Sequence, residues 1–261
     1  NAYYYRYFKM ILDIFILGAA KPVAGESPVA LQKIGYTTRV IDWQLDSFDA
    51  LAYNQIYFLG GYHIEDIIRH YPQINYTLIK DWQTKHVLHS LLQAPLGEGA
   101  ALITYADTIF RQEIIKQLTN SDADISVAID LNYQHRFNSR SEKDLAIAEI
   151  ITPDQGTFKG CIAEFTGLIH CKPHITKIIS GLNSQVVGKN LLDLIAYIQN
   201  SGHKIEFIDV GDHWAELNEP ADIARFILGN KASSLSRLTP MVRNSHIGKQ
   251  ISFSVQEWLD N

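Results

Sequence analysis

Residues 11–17, Ile-Leu-Asp-Ile-Phe-Ile-Leu, form an almost continuous apolar run that ends at Gly18. Ile11, Ile14, Phe15 and Ile16 are β-branched or aromatic, as is typical of a strand. An apolar run of this length indicates a strand buried on both faces, which is the rule in parallel sheets covered by helices. The first prediction is therefore an α/β fold.

The rest of the chain alternates between short apolar runs and stretches with helical spacing. Further strands are predicted at residues 56–59, 76–79, 101–105, 125–129, 161–170, 204–210 and 213–217. Helices are predicted at 40–51, 64–71, 87–92, 110–118, 175–182, 191–198 and 220–228. This alternation predicts a mostly parallel, mixed sheet with helices on both faces. We expect residues 1–230 to form one domain, and 231–261 a C-terminal linker or extension that leads to a further domain.

Composition excludes several classes of protein. Of 261 residues, 46% are hydrophobic and 20% charged, which excludes a disordered chain and a coiled coil. Lys and Arg number 23 and Asp and Glu 28, so the net charge of −5 disfavours nucleic acid as a partner. No apolar run has the length that crosses a bilayer, so we expect no membrane partner. Cys161 and Cys171 are too few for a disulfide framework, and we expect a cytoplasmic protein.

Ligands of open α/β sheets bind beyond the carboxyl ends of the strands. Three turns follow predicted strands in a way that fits this rule, after Leu17, after Tyr105 and after residue 217. The first contains Gly18, Ala19, Ala20 and Lys21, whose small side chains let backbone N–H groups approach an anion. It lacks the P-loop and dinucleotide patterns, so an ordinary strand-to-helix loop and a phosphate cradle remain equal alternatives.

The second turn carries Asp107, directly after an apolar strand. A carboxylate at such a strand end is a suitable ligand for Mg²⁺, which prefers oxygen. The same position fits an N-cap of the helix predicted from Phe110, with Thr108 in support. Position alone leaves the two interpretations equal.

Four segments, taken in order, resemble the nucleotidyltransferases with a Rossmann-like GT-A fold. They are LGAAKPVAGESPVAL at 17–31, LITYADTIF at 102–110, AEFTGL at 163–168 and WAELNEPADI at 214–223. The resemblance is strongest to the cytidylyltransferases of phosphonate metabolism, which are associated with phosphoenolpyruvate mutase, and to phosphocholine cytidylyltransferases. It extends along nearly the whole chain.

The resemblance implies a Mg²⁺-dependent transfer of CMP from CTP to a small phosphonate or a phosphorylated alcohol or sugar, with release of pyrophosphate. It implies Asp107 and Asn218 as metal ligands, with Asp209 and Asp212 as alternatives, and Lys21 and Asp107 as catalytic residues. The implied nucleotide-binding residues are Leu17, Gly18, Ala19, Ala20, Lys21, Thr84 and Ser90. A cap before Pro220 is the alternative role for Asn218.

Four further residues are candidates for binding the acceptor. Arg136, Arg140 and Lys159 could contact its phosphate, and arginine suits a bidentate contact of that kind. Glu164, in AEFTGL, resembles an acceptor-contacting glutamate of the family. A solvated basic loop and an ordinary strand carboxylate are the alternative interpretations.

One departure from the family pattern favours a second hypothesis. Val29 stands where the family has a lysine, so the chain could be a catalytically impaired nucleotide-binding or regulatory module. A third hypothesis, a GT-A glycosyltransferase with an Asp-x-Asp pair, is disfavoured because Asp122 and Asp124 precede a strand, away from the expected crevice. The ten histidines show no local spacing typical of zinc ligands.

Overall fold

The structure is a computed structural model, and it describes residues 11–22, 26–134, 148–183, 187–217 and 226. The chain divides into two units, Asn1–Asn218 and Glu219–Asn261, and Phe226 alone is described in the second. Three predicted site residues, Arg136, Arg140 and Asn218, lie outside the described residues. So do the helix predicted at 220–228, apart from Phe226, and the C-terminal extension, and the domain boundary at residue 230 stays a prediction.

The described residues form ten strands and six α-helices around one large sheet. The strands are β1 Leu12–Gly18, β2 Gln55–Gly60, β3 Asn75–Leu78, β4 Ala100–Tyr105, β5 Thr108–Phe110, β6 Ile125–Asp130, β7 Ile150–Ile151, β8 Ala163–Cys171, β9 Ile205–Asp209 and β10 Trp214–Glu216. The helices are α1 Val40–Phe48, α2 Ile64–His70, α3 Val87–Leu91, α4 Gln112–Thr119, α5 Pro173–Ser180 and α6 Leu191–Asn200. Short 3-10 turns occupy Val29–Leu31 and Gly211–His213.

The large sheet has the strand order β3-β2-β1-β4-β8-β6-β9, with β7 beside β8. All neighbours along this order pair in parallel except β8, which is antiparallel to β4 and to β6. The predicted α/β fold with a mostly parallel, mixed sheet is therefore confirmed. Because β8 is reversed, β1, β2, β3, β4, β6 and β9 all point the same way and end at the same edge.

Two apolar layers cover the sheet, and β1 contributes to both. Ile14 and Ile16 pack on the side of α1, α2 and α4, while Phe15 and Leu17 pack on the side of α3, α5 and α6. Ile14, Phe15 and Ile16 are completely buried. The continuous apolar run that predicted a two-sided strand therefore reflects helices on both faces.

The predicted element boundaries differ from the observed ones mainly around Phe110. The prediction of a helix from this residue is wrong, because residues 108–110 form β5 and helix α4 begins at Gln112. The ring of Phe110 stacks on Trp214 of β10, with centroids 6.3 Å apart, and this pairing keeps the segment extended. In the described part of the chain, no helix has the length and apolar character needed to span a bilayer.

Candidate active site

The carboxyl ends of the parallel strands form the sheet edge at which the sequence predicts a ligand. Leu17 at the end of β1 lies between Leu59 of β2 and Tyr105 of β4. The Ala106 N–H donates a hydrogen bond of 3.0 Å to the Leu17 carbonyl. Strand β8 runs antiparallel to β4, so its first residues lie at this edge too. The loops after β1 and β4 therefore come together as predicted, and the start of β8 joins them.

Asp107 lies at this edge, between β4 and β5. Its carbonyl accepts a hydrogen bond of 2.8 Å from the Leu217 N–H, at the end of the β5–β10 ribbon. In that ribbon Thr108 pairs with Glu216. The N-cap of α4 is Arg111, so the alternative that Asp107 caps this helix is wrong. The ribbon instead brings the segment just before Asn218 against the backbone of Asp107.

A group of carboxylates surrounds Asp107. Its Oδ1 is shielded from solvent and has no hydrogen-bond partner within the described residues. Burial, together with the negative charges of Glu216 and Glu149, raises the pKa of Asp107 to about 7. Burial also raises the pKa of Glu149, as does Glu216, although Glu149 accepts a 2.8 Å hydrogen bond from the Tyr105 hydroxyl. A buried carboxylate oxygen that has no partner among the described residues, beside two further carboxylates that raise the pKa of Asp107, fits the oxygen-preferring cation Mg²⁺.

The raised pKa of Asp107 predicts a pH-dependent response to Mg²⁺. Without a cation, the folded protein holds a proton on Asp107 above its ordinary pKa of 3.8. The stabilisation from this group is therefore complete below that value and is lost as pH rises through about 7. Because Mg²⁺ takes the place of the proton, we expect it to raise the melting temperature more at about pH 8 than at about pH 6.

Thermal denaturation with and without Mg²⁺ measures this effect. His170 contributes the opposite slope, since burial lowers its pKa to about 4, and the comparison must therefore be made against Asp107→Asn rather than wild type alone. An equal Mg²⁺ response at both pH values would show that Asp107 is not a ligand.

Glu216 is a candidate metal ligand that the sequence analysis missed. Replacement by glutamine removes the charge that raises the pKa of Asp107, so the metal-free variant should be more stable than wild type at about pH 8. It also removes a ligand oxygen, and we expect about tenfold weaker Mg²⁺ binding. Calorimetry and thermal denaturation measure the two effects. Exposed Glu98 supplies the matched control Glu98→Gln, which should change neither.

Helix α1 positions the loop that carries Asp107. The Gln44 side chain is buried, and its Nε2 donates hydrogen bonds of 2.8 Å to the Tyr105 carbonyl and 2.7 Å to the Thr108 carbonyl. Both Trp43 Nε1 and Ser47 Oγ donate to the Phe110 carbonyl over 2.9 Å. Three side chains of one helix thus fix the backbone on both sides of Asp107.

Replacing Gln44 with leucine should disturb this loop. Because the variant leaves buried carbonyls without their amide donor, we expect a loss of about 1–3 kcal/mol in the free energy of unfolding. Mg²⁺ binding should weaken as well, since the Asp107 loop loses its anchor. Urea unfolding and calorimetry measure the two quantities. Gln117 of α4 is exposed, so Gln117→Leu is the control and should stay within about 0.5 kcal/mol of wild type; equal behaviour of the two variants would contradict the assignment.

The loop after β1 lies where a nucleotide phosphate would be expected. The Ala19 carbonyl accepts a 2.9 Å hydrogen bond from the Tyr62 N–H, which ties this loop to the turn after β2. Lys21 Nζ lies 5.5 Å from the Tyr62 ring centroid and 3.7 Å from a Glu26 carboxylate oxygen, and the lysine side chain is 47% exposed. Lys21 is therefore held near the edge while its ammonium group stays accessible. Ala20 is exposed beside it.

The two residues predicted to contact the base or ribose differ in their surroundings. Thr84 is exposed, and its hydroxyl donates a 3.2 Å hydrogen bond to the Asp81 carbonyl. Ser90 is only 5% exposed, within α3. Near Thr84, the Trp82 ring packs over Gly61, where a Cβ atom would lie 2.5 Å from the indole. Both nucleotide contacts stay predictions.

On the acceptor side, the structure places Glu164 at the edge and Lys159 in the exposed loop before it. Glu164 is buried at the start of β8, where it pairs with Asp130 at the end of β6. Asp130 in turn accepts a 3.0 Å hydrogen bond from Trp214 Nε1 of β10. Glu164 therefore belongs to a buried polar layer beneath the edge. The roles of Lys159 and Glu164 toward an acceptor stay predictions.

Of the alternative metal ligands, Asp209 accepts hydrogen bonds from nearby backbone N–H groups. Its Oδ1 accepts hydrogen bonds from the Leu131 N–H at 3.2 Å and the Gly211 N–H at 3.3 Å, so it stabilises the turn after β9. Asp212 lies in the following 3-10 turn. Glu216, by contrast, raises the pKa of Asp107.

Glu216, Glu149 and Gln44 were the site residues that sequence reasoning missed. Glu216 stands two positions before Asn218 in the quoted WAELNEPADI segment, so this motif gave a signal for it. Glu149 follows residues 135–147, which the structure does not describe, and no local pattern marks it. Gln44 is one of four polar residues on α1, and only the fold shows that it faces the Asp107 loop.

Comparison with known proteins supports the same fold. No known family model matches the chain. A CTP:phosphoglutamine cytidylyltransferase from Campylobacter jejuni is 21% identical over 129 residues, which cover 45% of this chain and 51% of that protein. The chain thus spans about half the length of this curated relative.

Two solved structures resemble the chain over nearly its whole length. One, assigned as a glucose-1-phosphate thymidylyltransferase from Bacillus anthracis, has a TM-score of 0.58, is 15% identical and covers 92% of this chain and 98% of its own. The other, the inositol-1-phosphate CTP transferase from T. maritima, has a TM-score of 0.58, is 12% identical and covers 91% and 98%. The chain therefore has the GT-A-like α/β fold of these nucleotidyltransferases.

Proposed function

We propose that the chain is a Mg²⁺-dependent nucleotidyltransferase that transfers CMP from CTP to a small phosphonate or a phosphorylated alcohol or sugar. The observation that carries the proposal is the buried Oδ1 of Asp107, which has no partner among the described residues and whose carboxylate feels the charges of Glu216 and Glu149 at the sheet edge that the loop after β1 shares. The GT-A-like fold and the partial likeness to a cytidylyltransferase support it.

Asp107 and Glu216 are the described residues that would hold Mg²⁺ through their carboxylate oxygens, and Asn218 is a predicted third ligand. When bound there, Mg²⁺ supplies positive charge to the phosphate oxygens of the nucleotide and to the leaving pyrophosphate. Lys21 and the backbone N–H groups of the loop after β1 bind the same phosphates. The positive charge of these groups offsets the negative charge of the phosphates and of the carboxylates at Asp107 and Glu216.

The reaction forms a bond between an acceptor oxygen and the α-phosphorus of CTP. The bond from the α-phosphorus to the bridging oxygen breaks, and pyrophosphate leaves with that electron pair. Because a phosphate or phosphonate oxygen is already anionic, no side chain has to remove a proton from it. The residues therefore contribute orientation and charge stabilisation rather than general base catalysis.

The proposed acceptor carries a phosphate or phosphonate group. The proteins compared above are named for glucose-1-phosphate, inositol-1-phosphate and phosphoglutamine, which all carry a phosphate group. Arg136, Arg140 and Lys159 are the cations that we assign to that phosphate, with Glu164 assigned to the rest of the acceptor. We also propose that residues 1–230 form the catalytic domain and that the protein works in the cytoplasm.

Pyrophosphate release measures the proposed activity. The purified chain with Mg²⁺ is given each of the four nucleoside triphosphates, alone and with a panel of phosphonates and of alcohol and sugar phosphates. We expect release from CTP that requires an acceptor. If no combination releases pyrophosphate, the proposed activity is contradicted. Nucleotide binding without release would support the hypothesis of a regulatory module, which Val29 favours.

A further inference from the structure

A second group of metal-binding side chains lies at the opposite edge of the sheet. Asp124 directly precedes β6, His174 is the second residue of α5, and His203 comes shortly before β9. Since β4 and β6 point the same way, Asp107 beyond the end of β4 and Asp124 before the start of β6 lie at opposite edges. This group is therefore separate from the candidate active site.

The backbone fixes these three residues relative to one another. The Asp124 N–H donates a 3.0 Å hydrogen bond to the Lys204 carbonyl, and the Lys172 N–H donates one of 2.9 Å to the Asp124 carbonyl. His203 is the neighbour of Lys204, and His174 lies two positions after Lys172. The parallel pairing of β6 with β9 also holds the amino ends of the two strands side by side.

The side chains converge on one point. His174 Nε2 lies 3.0 Å from Asp124 Oδ1, and His203 Nδ1 lies 3.7 Å from Asp124 Oδ2. Each residue offers one ligand atom, and these atoms lie within 4.8 Å of one another. The side chains are 30%, 50% and 26% exposed for Asp124, His174 and His203, so an ion can reach them from solvent.

We propose that Asp124, His174 and His203 form a Zn²⁺ site with two imidazole nitrogens and one carboxylate oxygen. Imidazole suits Zn²⁺, whereas Mg²⁺ prefers oxygen alone. Bonds of about 2.1 Å in a tetrahedron place ligand atoms about 3.4 Å apart, so the observed atoms need only small side-chain rotations. Solvent supplies the fourth ligand.

A backbone hydrogen bond orients the Asp124 carboxylate, which favours metal binding over a simple ion pair with the histidines. Asp124 Oδ2 accepts a 2.9 Å hydrogen bond from the Lys204 N–H, which orients the carboxylate and leaves Oδ1 for the ion. Lys172, whose N–H donates to the Asp124 carbonyl, donates its Nζ to the Asp122 carbonyl. Zn²⁺ would link β6, α5 and β9 at their amino ends, and its function would be to stabilise this edge of the fold.

Titration of the chelator-treated full chain with ZnCl₂, in excess Mg²⁺ to occupy the active site, tests the proposal. We expect one bound Zn²⁺ per chain and a higher melting temperature. The double variant His174→Asn with His203→Asn should lose both effects, whereas Asp107→Asn and the exposed-histidine control His70→Asn should keep them. Visible absorption of CoCl₂-loaded wild type, expected to show nitrogen coordination, decides the matter even if the double variant folds poorly.

Three results would overturn the proposal: no Zn²⁺ bound by wild type, equal binding by the folded double variant, or loss of binding in Asp107→Asn alone. The last result would place the ion in the active site instead. None of these outcomes depends on nucleotidyl transfer, so the site can fail while the proposed activity holds.

Discussion

Replacing Asp107 with asparagine is expected to lower the rate of pyrophosphate release by about 10³-fold or more, because the reaction loses its central metal ligand. The same change should leave the metal-free fold at least as stable as wild type at about pH 8, since it removes a buried charge that Glu216 and Glu149 repel. Activity and stability therefore move in opposite directions. If Asp107 were merely structural, the substitution would lower activity and stability together.

Steady-state kinetics and urea unfolding of the purified variant measure the two quantities. Asp46 of α1 is exposed, and Asp46→Asn is the matched control that should leave activity and stability unchanged. Near-wild-type turnover by Asp107→Asn would remove Asp107 from the mechanism. A large fall in its stability would instead show that the carboxylate supports the fold.

The second large effect is expected at Gly18, where the loop after β1 begins. A Cβ atom there would lie 2.4 Å from Phe58 Cζ and 2.7 Å from Ala106 Cβ, both in the buried core. Gly18→Ala should therefore cost about 1–3 kcal/mol in the free energy of unfolding, through overpacking. It should also displace the Ala106–Asp107 turn and weaken Mg²⁺ and nucleotide binding together.

Gly97 provides the control for this prediction, because a Cβ atom there meets nothing within 4 Å. Gly97→Ala is expected to be neutral or to stabilise by a few tenths of a kcal/mol, since it restricts the unfolded chain. Urea unfolding and calorimetry compare the two variants. Equal stability of both would mean that the end of β1 has more room than the structure shows.

The sheet was predictable from sequence because apolar runs alternate with stretches of helical spacing along the chain. The run at residues 11–17 and the alternation of strands and helices after it predict a mostly parallel sheet. The short segments between these elements restrict how the strands can be connected. Strand β10 lies within the strand predicted at 213–217, but its partner β5 was not predicted, because a strand of three residues carries too little periodicity. Phe110, Ile114 and Leu118 have helical spacing, and only the stacking of Trp214 on Phe110 shows where the helix starts.

The candidate site likewise combines residues whose location the sequence predicts with residues that only the tertiary structure brings together. The location of Asp107 at the sheet edge was predictable, because it follows an apolar strand and ligands of such sheets bind beyond the carboxyl ends of the strands. Glu216 and Gln44 required the tertiary structure, since a three-residue ribbon and a helix face bring them to Asp107. Asp124, His174 and His203 are far apart in sequence, so their convergence has no local spacing to reveal it.

Mn²⁺ binding followed by electron paramagnetic resonance, with CTP present, tests the central claim that Asp107 and Glu216 hold one divalent cation. The titration uses the His174→Asn, His203→Asn background, so that the opposite edge of the sheet cannot contribute. We predict one nucleotide-dependent Mn²⁺ per chain, weakened by Glu216→Gln and lost in Asp107→Asn. The same stoichiometry and affinity in all three proteins would contradict the account.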